Sequence, residues 1–483
     1  MEIIIVGLGP GAPELLTREA WQVIEAADEL CLRTAHHPTV EALSTCAECR
    51  SFDALYESAQ GFPEVYRAIA EEVLRLGRRS QGVVYAVPGH PLVGEATVQR
   101  ILTQARAEGL PVRIVEGLSF VEPTLTLLGL DALEGVQICD AIELAGRHHP
   151  PLNPDVPALI GQIYSQPLAS DLKLTLMNQY PDEHPVALVH AAGTPQAEVV
   201  RLPLYEIDRR PVAHLTTLYV PSMPSIGSFE RLQDTIGHLR SPEGCPWDRE
   251  QTHQSLRGGL LEEAYEAVEA IDADDTVGLC EELGDLLLQI VFQTQIATEA
   301  GDFRMVDVIA GIDAKLRHRH PHVWGELEIE EAAEVLPHWE ALKREEKQDR
   351  SSLLDGLPAA MPALLKAHAY GERAARVGFD WSDAAAVVDK VREELDELKA
   401  ARTQEAVEAE LGDLLFAVAN WARHLNVEPE TALRKANARF AARFRAMEAL
   451  AEQQGRELAS MDLDQLEALW QAVKAGRHRN RNG

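Results

Sequence analysis

One acidic helical pattern occurs twice in this chain, and the repeat limits the folds open to its second half. Both copies have the form EExxE followed by ExxD, at Glu262, Glu263, Glu266, Glu282 and Asp285 and again at Glu393, Glu394, Glu397, Glu410 and Asp413. Residues three and four apart share one face of a helix. Apolar residues between Leu260 and Val291 recur with a period near 3.6. The pattern predicts packed helix pairs with carboxylates on one face.

Carboxylates gathered in this way repel one another unless a cation neutralises them, and oxygen ligands of this kind suit Mg2+. A single EExxE is usually a solvated helix surface, so the repeat is needed to favour a metal site. Glu269 aligns with Ala400 and Glu281 with Ala409, which marks these two acids as ordinary surface charge. The ten acids common to both copies are the predicted metal ligands.

Each copy is followed by basic and aromatic residues at matching positions. These residues are Lys315, Arg319, Trp339 and Lys343 after the first copy, and Arg439, Arg443, Trp470 and Lys474 after the second. Cations one helical turn apart suit successive phosphates, and a tryptophan near a lysine suits a nucleobase. Taken singly, such cations are more often solvated and such tryptophans more often part of a core. Because they recur with the acids, we expect them to bind substrate.

The segment of about 227 to 483 resembles MazG, the tandem nucleoside triphosphate pyrophosphohydrolase of the all-α superfamily. The resemblance rests on the two acidic copies and on short motifs, namely Gly244-Cys-Pro-Trp-Asp248, Gln251-Thr-His253, His320-Pro-His322, Leu353-Leu-Asp-Gly356 and Val377-Gly-Phe-Asp-Trp381. It implies hydrolysis of NTPs or dNTPs to the monophosphate and pyrophosphate with Mg2+, the carboxylates being metal ligands and water activators. Arg439 stands where a lysine is familiar, which preserves the charge but changes its reach.

Water activation is assigned to Glu263 and Glu394 as a hypothesis, because the sequence does not separate a base from a ligand. Cleavage between the α- and β-phosphates needs an in-line water, a proton acceptor and cations that spread negative charge. Two other functions stay open at this point. One is a nucleotide sensor without turnover, and the other depends on the first half of the chain.

The first half of the chain alternates strand and helix patterns. Ile3 to Val6 runs into Gly7-Leu-Gly9-Pro-Gly11, Val83 to Val87 runs into Pro88-Gly-His-Pro91, and Val112 to Val115 precedes Glu116-Gly-Leu-Ser119. This alternation predicts an α/β sheet with ligand sites at the carboxyl ends of its strands. The first glycine loop is neither a dinucleotide fingerprint nor a P-loop, so it predicts no phosphate site.

Residues 1 to 222 resemble the tetrapyrrole (corrin/porphyrin) methylase family through these three loops and through Tyr180-Pro-Asp-Glu-His-Pro185 and Leu204-Tyr-Glu-Ile207. The resemblance implies two α/β lobes and an S-adenosylmethionine site near Gly9, Pro10, Pro88, Gly89, His90 and Ser119. A tetrapyrrole is the implied acceptor, and the second alternative function is therefore a tetrapyrrole methyltransferase with a helical appendage. An active methylase and a ligand-sensing module are both compatible with these residues, since fold does not fix function. The complete arrangement resembles bacterial fusion proteins of the YabN type.

The predicted fold is therefore multidomain, with a two-lobed α/β domain followed by two all-α helical units. We place the methylase-like domain at 1–222, the first MazG unit at 227–345 and the second at 355–475. The basic tail at 476–483 is expected to be disordered. A helical unit with one acidic and one apolar face closes too small a core alone, so we expect it to pair, either with the other unit of the chain or with another chain in a homo-oligomer.

The formal net charge of −32 argues against a nucleic-acid surface, which requires positive potential. Six scattered cysteines indicate a reducing compartment. No apolar run is long enough to cross a bilayer, and the first residues form a core strand rather than a signal segment. We therefore expect a cytoplasmic protein without membrane partners.

Overall fold

The structure is a computed structural model that describes residues 1–43, 48–58, 61–225, 227–327 and 352–480, together with isolated positions between 329 and 342. The chain divides into two compact units, Met1–Ile309 and Ala310–Gly483. The boundary falls within the helix Met305–Arg319. This division is coarser than the three predicted domains, whose boundaries remain predictions. Each unit is described by itself below.

The first unit opens with a five-stranded parallel sheet in the order β3-β2-β4-β1-β5. Its strands are β1 Ile3–Gly7, β2 Glu29–Leu32, β3 Glu48–Ser51, β4 Val83–Val87 and β5 Val112–Val115. Ile3 lies opposite Val83 on one side and Val112 on the other. Both faces of the sheet carry buried clusters, and the central strands β1 and β4 are continuous apolar runs, as expected for a parallel sheet. The predicted α/β lobe is confirmed.

Helices cover this sheet and begin the second lobe. Their bounds are α1 Arg18–Glu25, α2 Pro38–Leu43, α3 Asp53–Ser58, α4 Phe62–Gly77, α5 Ala96–Glu108 and α6 Val121–Leu128. The amphipathic helix α4 buries Ile69, Val73 and Leu74 against the sheet. Each such side chain contributes about 1.5–3 kcal/mol on burial. The helix α5 ends at Gly109, which adopts the left-handed conformation that suits glycine.

The second lobe is a mixed five-stranded sheet in the order β6-β7-β10-β8-β9. The strands β6 Gln137–Asp140 and β7 Ala158–Gly161 are parallel, whereas β10 Thr216–Val220, β8 Pro185–His190 and β9 Glu198–Pro203 join by antiparallel pairing. Two helices, α7 Ala141–Ala145 and α8 Gln166–Leu176, pack on its buried face. The two predicted lobes are therefore present.

The rest of the first unit is helical, with α9 Phe229–Leu239, α10 Pro246–Glu250, α11 Arg257–Asp272 and α12 Thr276–Ala300. Ile236 on α9 packs with Val291 and Phe292 on α12 and with Met305. Asp155 of the second lobe accepts hydrogen bonds from the backbone of Gly227 and Ser228, where α9 begins. The helix α13, Met305–Arg319, follows.

The second unit contains α14 Pro321–Trp324, α15 Ala363–Ala375, α16 Ala384–Ala400, α17 Gln404–His424, α18 Pro429–Gln453 and α19 Leu463–Asn480. A core of Met447, Ala451 and Leu469 joins α18 to α19. The helix α19 continues to Asn480, so the backbone of the first residues of the predicted tail extends this helix. Residues 481–483 lie outside the described part of the chain.

Within the described residues, every helix is too short or too polar to span a membrane. The helical content of the second half agrees with the predicted all-α class.

Candidate functional site

The first acidic cluster is built on the helix pair α11 and α12, which pack against each other. The turn between these helices is fixed by Asp275, whose side chain accepts hydrogen bonds from the backbone of Val277 and Gly278. Asp275 therefore caps α12 and satisfies donors that a helix start leaves free. This short connection places the acidic face of α11 opposite the acidic face of α12.

Glu263 and Glu266 of α11 meet Glu282 of α12, with one carboxylate oxygen from each lying within 4.8 Å of the other two. Desolvation raises the pKa of the Glu263 carboxyl, and repulsion from Asp285 and Glu266 raises it further. The pKa of Glu282 is raised by desolvation and then by Glu266. Among the described residues, no lysine or arginine forms an ion pair with these three acids. Within the described part of the chain, the first cluster is thus a group of negative charges without an ion-pair partner.

The second cluster has the same construction on α16 and α17. Oxygens of Glu394, Glu397 and Glu410 lie within 4.8 Å of one another. Glu394 is buried, whereas Glu263 at the matching position of the first copy is half-buried. The pKa of Glu397 is raised by desolvation and then by Glu394 and Glu410. The two copies therefore gather the same acids at matching positions.

A lysine distinguishes the second cluster from the first. The Nζ atom of Lys390 lies 2.8 Å from Oε1 of Glu394 and 2.9 Å from Oε1 of Glu393. Hydrogen bonds to Glu394 and then Glu393 raise the pKa of this lysine. When the EExxE motifs are aligned, Gly259 occupies the corresponding position of the first copy. Sequence reasoning missed Lys390. It lies three residues before Glu393 and four before Glu394, and both spacings are typical of ion pairs on a helix.

Both clusters fit a hard divalent cation. Oxygens on opposite sides of Mg2+ lie about 4.2 Å apart, because each bond measures about 2.1 Å. The carboxylate oxygens, within 4.8 Å of one another, need only small movements to reach this geometry. The raised pKa values of Glu263, Glu282 and Glu397 follow from desolvation and then from repulsion by neighbouring acids, and a cation relieves the repulsion.

The remaining predicted acids lie beside these groups of three. Glu262 and Glu393 are exposed at the outer side of their helices, and Glu393 bonds to Lys390. Asp285 acts electrostatically on Glu263 and Glu282 without belonging to the group of three. Asp413 is exposed. The structure thus brings together six of the ten predicted ligands, three in each cluster.

The predicted substrate-binding residues belong to the second unit. The guanidinium of Arg319 lies 5.2 Å from the ring centre of Trp339, and Lys315 is exposed. Lys343 lies outside the described residues. Trp470 packs on Phe440, with ring centres 5.3 Å apart, and it joins the core between α18 and α19.

Of the other cations predicted to bind substrate, Arg439 and Lys474 are exposed and Arg443 is half-buried. Trp470 therefore has a packing role that the sequence left as an alternative.

A separate cavity of about 290 Å3 lies between the two lobes of the methylase-like region. Its lining includes all the predicted cofactor-site residues, Gly9, Pro10, Pro88, Gly89, His90 and Ser119. Gly9 and Gly89 both have positive φ and pair through a single antiparallel bridge. A Cβ on Gly7 would lie 2.6 Å from the carbonyl oxygen of Gly89. Glycine is therefore required for the strand-end loops to approach this closely.

Polar residues that the sequence did not mark also line this cavity. Arg33 donates to Glu95, with Nη1 2.7 Å from Oε1, and its Nε lies 3.1 Å from the hydroxyl of Tyr56. Burial raises the pKa of Glu95 to about 7, against the opposing effect of Arg33. Burial lowers the pKa of His37 to about 4, so this imidazole is neutral at neutral pH. These residues come from separate strands and loops, so no local motif revealed them.

Comparison with known proteins matches two different families to two parts of the chain. The family of Tetrapyrrole (Corrin/Porphyrin) Methylases matches residues 2–208, and the MazG nucleotide pyrophosphohydrolase domain matches residues 251–324. Uroporphyrin-III C-methyltransferase from Thermus thermophilus has 23% identity and a TM-score of 0.37, covering 46% of this chain and 92% of that one.

One relative in sequence matches nearly the whole chain, and another matches about half of it. The uncharacterized protein YabN of Bacillus subtilis is 41% identical over 99% of both chains. The Thermotoga maritima protein named nucleoside triphosphate pyrophosphohydrolase/pyrophosphatase MazG is 46% identical over 51% of this chain and 96% of its own length. The chain therefore belongs to the MazG family, and it carries a tetrapyrrole-methylase-family domain ahead of its MazG domain.

Proposed function

We propose that this chain is a Mg2+-dependent nucleoside triphosphate pyrophosphohydrolase that converts NTPs or dNTPs and water to the monophosphate and pyrophosphate. The observation that carries the proposal is the pair of three-carboxylate clusters, each with its oxygens within 4.8 Å. The relatives named as pyrophosphohydrolases support the same reaction class. A non-catalytic nucleotide sensor explains these acids less well. A sensor needs only a cation site, whereas turnover needs both a cation site and a proton acceptor, and clustered carboxylates can supply both.

In this proposal the three acids of each cluster hold the cation, and Glu263 and Glu394 are the first candidates for the proton acceptor. A bound Mg2+ supplies positive charge that stabilises the phosphate oxygens as the anhydride is cleaved. The Glu263 carboxylate lies within the cluster beside the proposed cation, where it can accept a proton from a water molecule. The water oxygen adds to phosphorus, the bond to the pyrophosphate group breaks, and the water proton passes to the carboxylate.

Pyrophosphate release from a panel of NTPs and dNTPs tests this proposal on the full chain. We expect release with Mg2+ and none after chelation with EDTA. Triphosphate binding in the presence of Mg2+ without any release of pyrophosphate would overturn the proposal in favour of the sensor.

We further propose that the cavity between the lobes binds S-adenosylmethionine. The supporting observation is that the predicted loop residues line one cavity, in which the glycine backbone leaves room for a ligand. A volume of about 290 Å3 suits one small ligand. Neutral His37 and the paired Arg33 and Glu95 can hydrogen-bond to the polar groups of such a ligand.

Calorimetry with S-adenosylhomocysteine tests this binding, and labelled methyl transfer to a tetrapyrrole tests the second activity. Replacement of Gly89 by Val places a branched side chain at a positive φ beside Ser119, so it should abolish binding. Unchanged affinity in this variant would exclude the cavity as the site.

We also propose that the chain associates with a second copy. Phe440 is 59% exposed and Phe444 39% exposed on one face of α18, where their rings stack. Large exposed apolar faces are unusual in monomers. Light scattering tests the proposal, and a monomer at micromolar concentration would contradict it.

A further inference from the structure

The ammonium group of Lys390 lies at the edge of the second acidic cluster, against one of its three carboxylates. It contacts Glu394, which belongs to the group of three, and also contacts Glu393 next to that group. A divalent cation approaching Glu394 must therefore displace this ammonium group or bind beside a positive charge. Either outcome costs binding free energy.

Among the residues that the structure describes, the first cluster has no such counter-charge. Gly259 stands at the matching position, and the residues that perturb Glu263 and Glu282 are all acidic. A Cβ on Gly259 would lie 3.0 Å from Nε2 of Gln289, so the space of the lysine stem is filled by this glutamine. In the second copy Ala417 aligns with Gln289, which leaves room near Lys390. The two aligned positions therefore change as a pair. The first copy has Gly259 with Gln289, and the second copy has Lys390 with Ala417.

We infer that Lys390 is a built-in competitor for the metal of the second cluster, so that the first cluster fills with divalent cation at a lower concentration than the second. This inference rests on the proposed function, because it takes both clusters to be cation sites. One positive charge in contact with two carboxylates at a partly solvated site corresponds to about a tenfold difference in metal affinity. The two repeats are then a high-affinity site and a low-affinity site in one chain.

Electron paramagnetic resonance of Mn2+ added to the full-length chain without nucleotide tests the inference. Each cluster is measured alone by disabling the other, with Glu394→Gln and Glu410→Gln in one background and Glu263→Gln and Glu282→Gln in the other. We expect the first cluster to bind Mn2+ about tenfold more tightly than the second. This measurement requires no catalytic turnover.

Lys390→Met in the background that leaves only the second cluster removes the charge but keeps the aliphatic stem and a good helix former. We expect it to raise Mn2+ affinity about tenfold, whereas Lys390→Arg keeps the charge and should keep the weaker binding. Lys399→Met is the matched control, since Lys399 pairs with Asp396 on the same helix at an exposed position. This control should leave Mn2+ affinity unchanged.

The reciprocal variant combines Gly259→Lys with Gln289→Ala, which copies the second site into the first. We expect Mn2+ affinity of the first cluster to fall about tenfold. Equal affinities of the two clusters, or a Lys390→Met variant with unchanged or lower affinity, would overturn the inference and leave the hydrolase proposal standing. If neither cluster bound Mn2+ in a folded chain, the inference and the metal-dependent hydrolase would both be overturned.

Discussion

The two acidic clusters have the same acids at matching positions and yet differ in charge. In the first cluster Glu263, Glu266 and Glu282 meet without a cation among the described residues, whereas in the second Lys390 contacts Glu394 directly. The helix pair fixes which acids meet, because it is set by the repeated apolar period. The residues one turn before the motif decide how negative the cluster is. A repeated motif therefore predicts the presence of a site better than it predicts the properties of that site.

The largest expected effect comes from replacing the candidate proton acceptors. Glu263→Gln combined with Glu394→Gln should reduce pyrophosphate release by about 10²- to 10⁴-fold, the usual contribution of a general base. Each single variant should retain the turnover of the untouched cluster, because both copies keep three carboxylates. Initial rates at saturating Mg2+ and nucleotide provide the measurement.

Glu269→Gln is the control for this experiment, since Glu269 is exposed on the same helix and is not shared by the two copies. Circular dichroism should show unchanged helicity in all variants. A single variant that loses as much activity as the double variant would assign all turnover to one cluster and break the equivalence of the two.

Sequence reasoning predicted the fold class, and six of the ten acids that it singled out meet in the two clusters, because both features depend on local periodicity. The strands from Ile3, Val83 and Val112 lie where their β-branched runs indicated. Glu282 could be paired with Glu263 because two long amphipathic helices joined by a short turn must lie antiparallel. What depends on distant packing was not predictable. The contact of Trp470 with Phe440 and the convergence of Arg33 with Glu95 join residues far apart in sequence.

Each helical region also has an arginine that ties its segments together, and the two differ in how many partners lie outside their own helix. Arg240 bonds to Glu299 on α12 and to the backbone carbonyls of Asp248 and Gln251, all three on other segments. Arg423 on α17 bonds to Asp380 on another segment, and its other partners, Asn420 and His424, lie on α17 itself. Arg240→Ala should therefore cost about 3 kcal/mol of local stability and Arg423→Ala about 2 kcal/mol.

Native-state hydrogen exchange at the ends of α12 and α17 measures these local free energies. Arg231→Ala is the control, because Arg231 forms an exposed pair with Asp234 that should contribute little. A larger loss in α17 from Arg423→Ala than in α12 from Arg240→Ala would reverse the predicted order.

Acid should weaken both of these ion pairs. The hydrogen bond from Arg423 lowers the pKa of Asp380, and the hydrogen bond from Arg240 lowers the pKa of Glu299. A carboxyl whose pKa is lower in the folded state than in the unfolded state stabilises the fold at pH values above its unfolded-state pKa, which is about 4. This stabilisation is lost as the pH falls through the folded-state pKa. Thermal unfolding followed at pH 5 and at pH 3 should therefore show a lower melting temperature at pH 3.

Asp380→Asn should reduce this dependence on pH, since an amide cannot lose a proton in this range. Asp389→Asn is a suitable control, because Asp389 is an exposed member of a pair with Arg392. An identical loss of melting temperature between pH 5 and pH 3 in the parent and in Asp380→Asn would exclude Asp380 as a source of the acid sensitivity.

The smallest expected effect concerns the caps that start the second helix of each cluster. Asp275 accepts hydrogen bonds from two backbone N–H groups at the start of α12, and Thr403 accepts one at the start of α17. Asp275→Ala should cost about 1.5 kcal/mol and Thr403→Ala about 0.7 kcal/mol. Hydrogen exchange in the first turn of each helix measures the loss.

Because these turns also set the approach of the acidic faces, Asp275→Ala should weaken Mn2+ binding at the first cluster more than Thr403→Ala does at the second. Equal losses of Mn2+ affinity in the two cap variants would show that the turns do not contribute to the difference in affinity between the clusters. That difference would then depend on Lys390 alone.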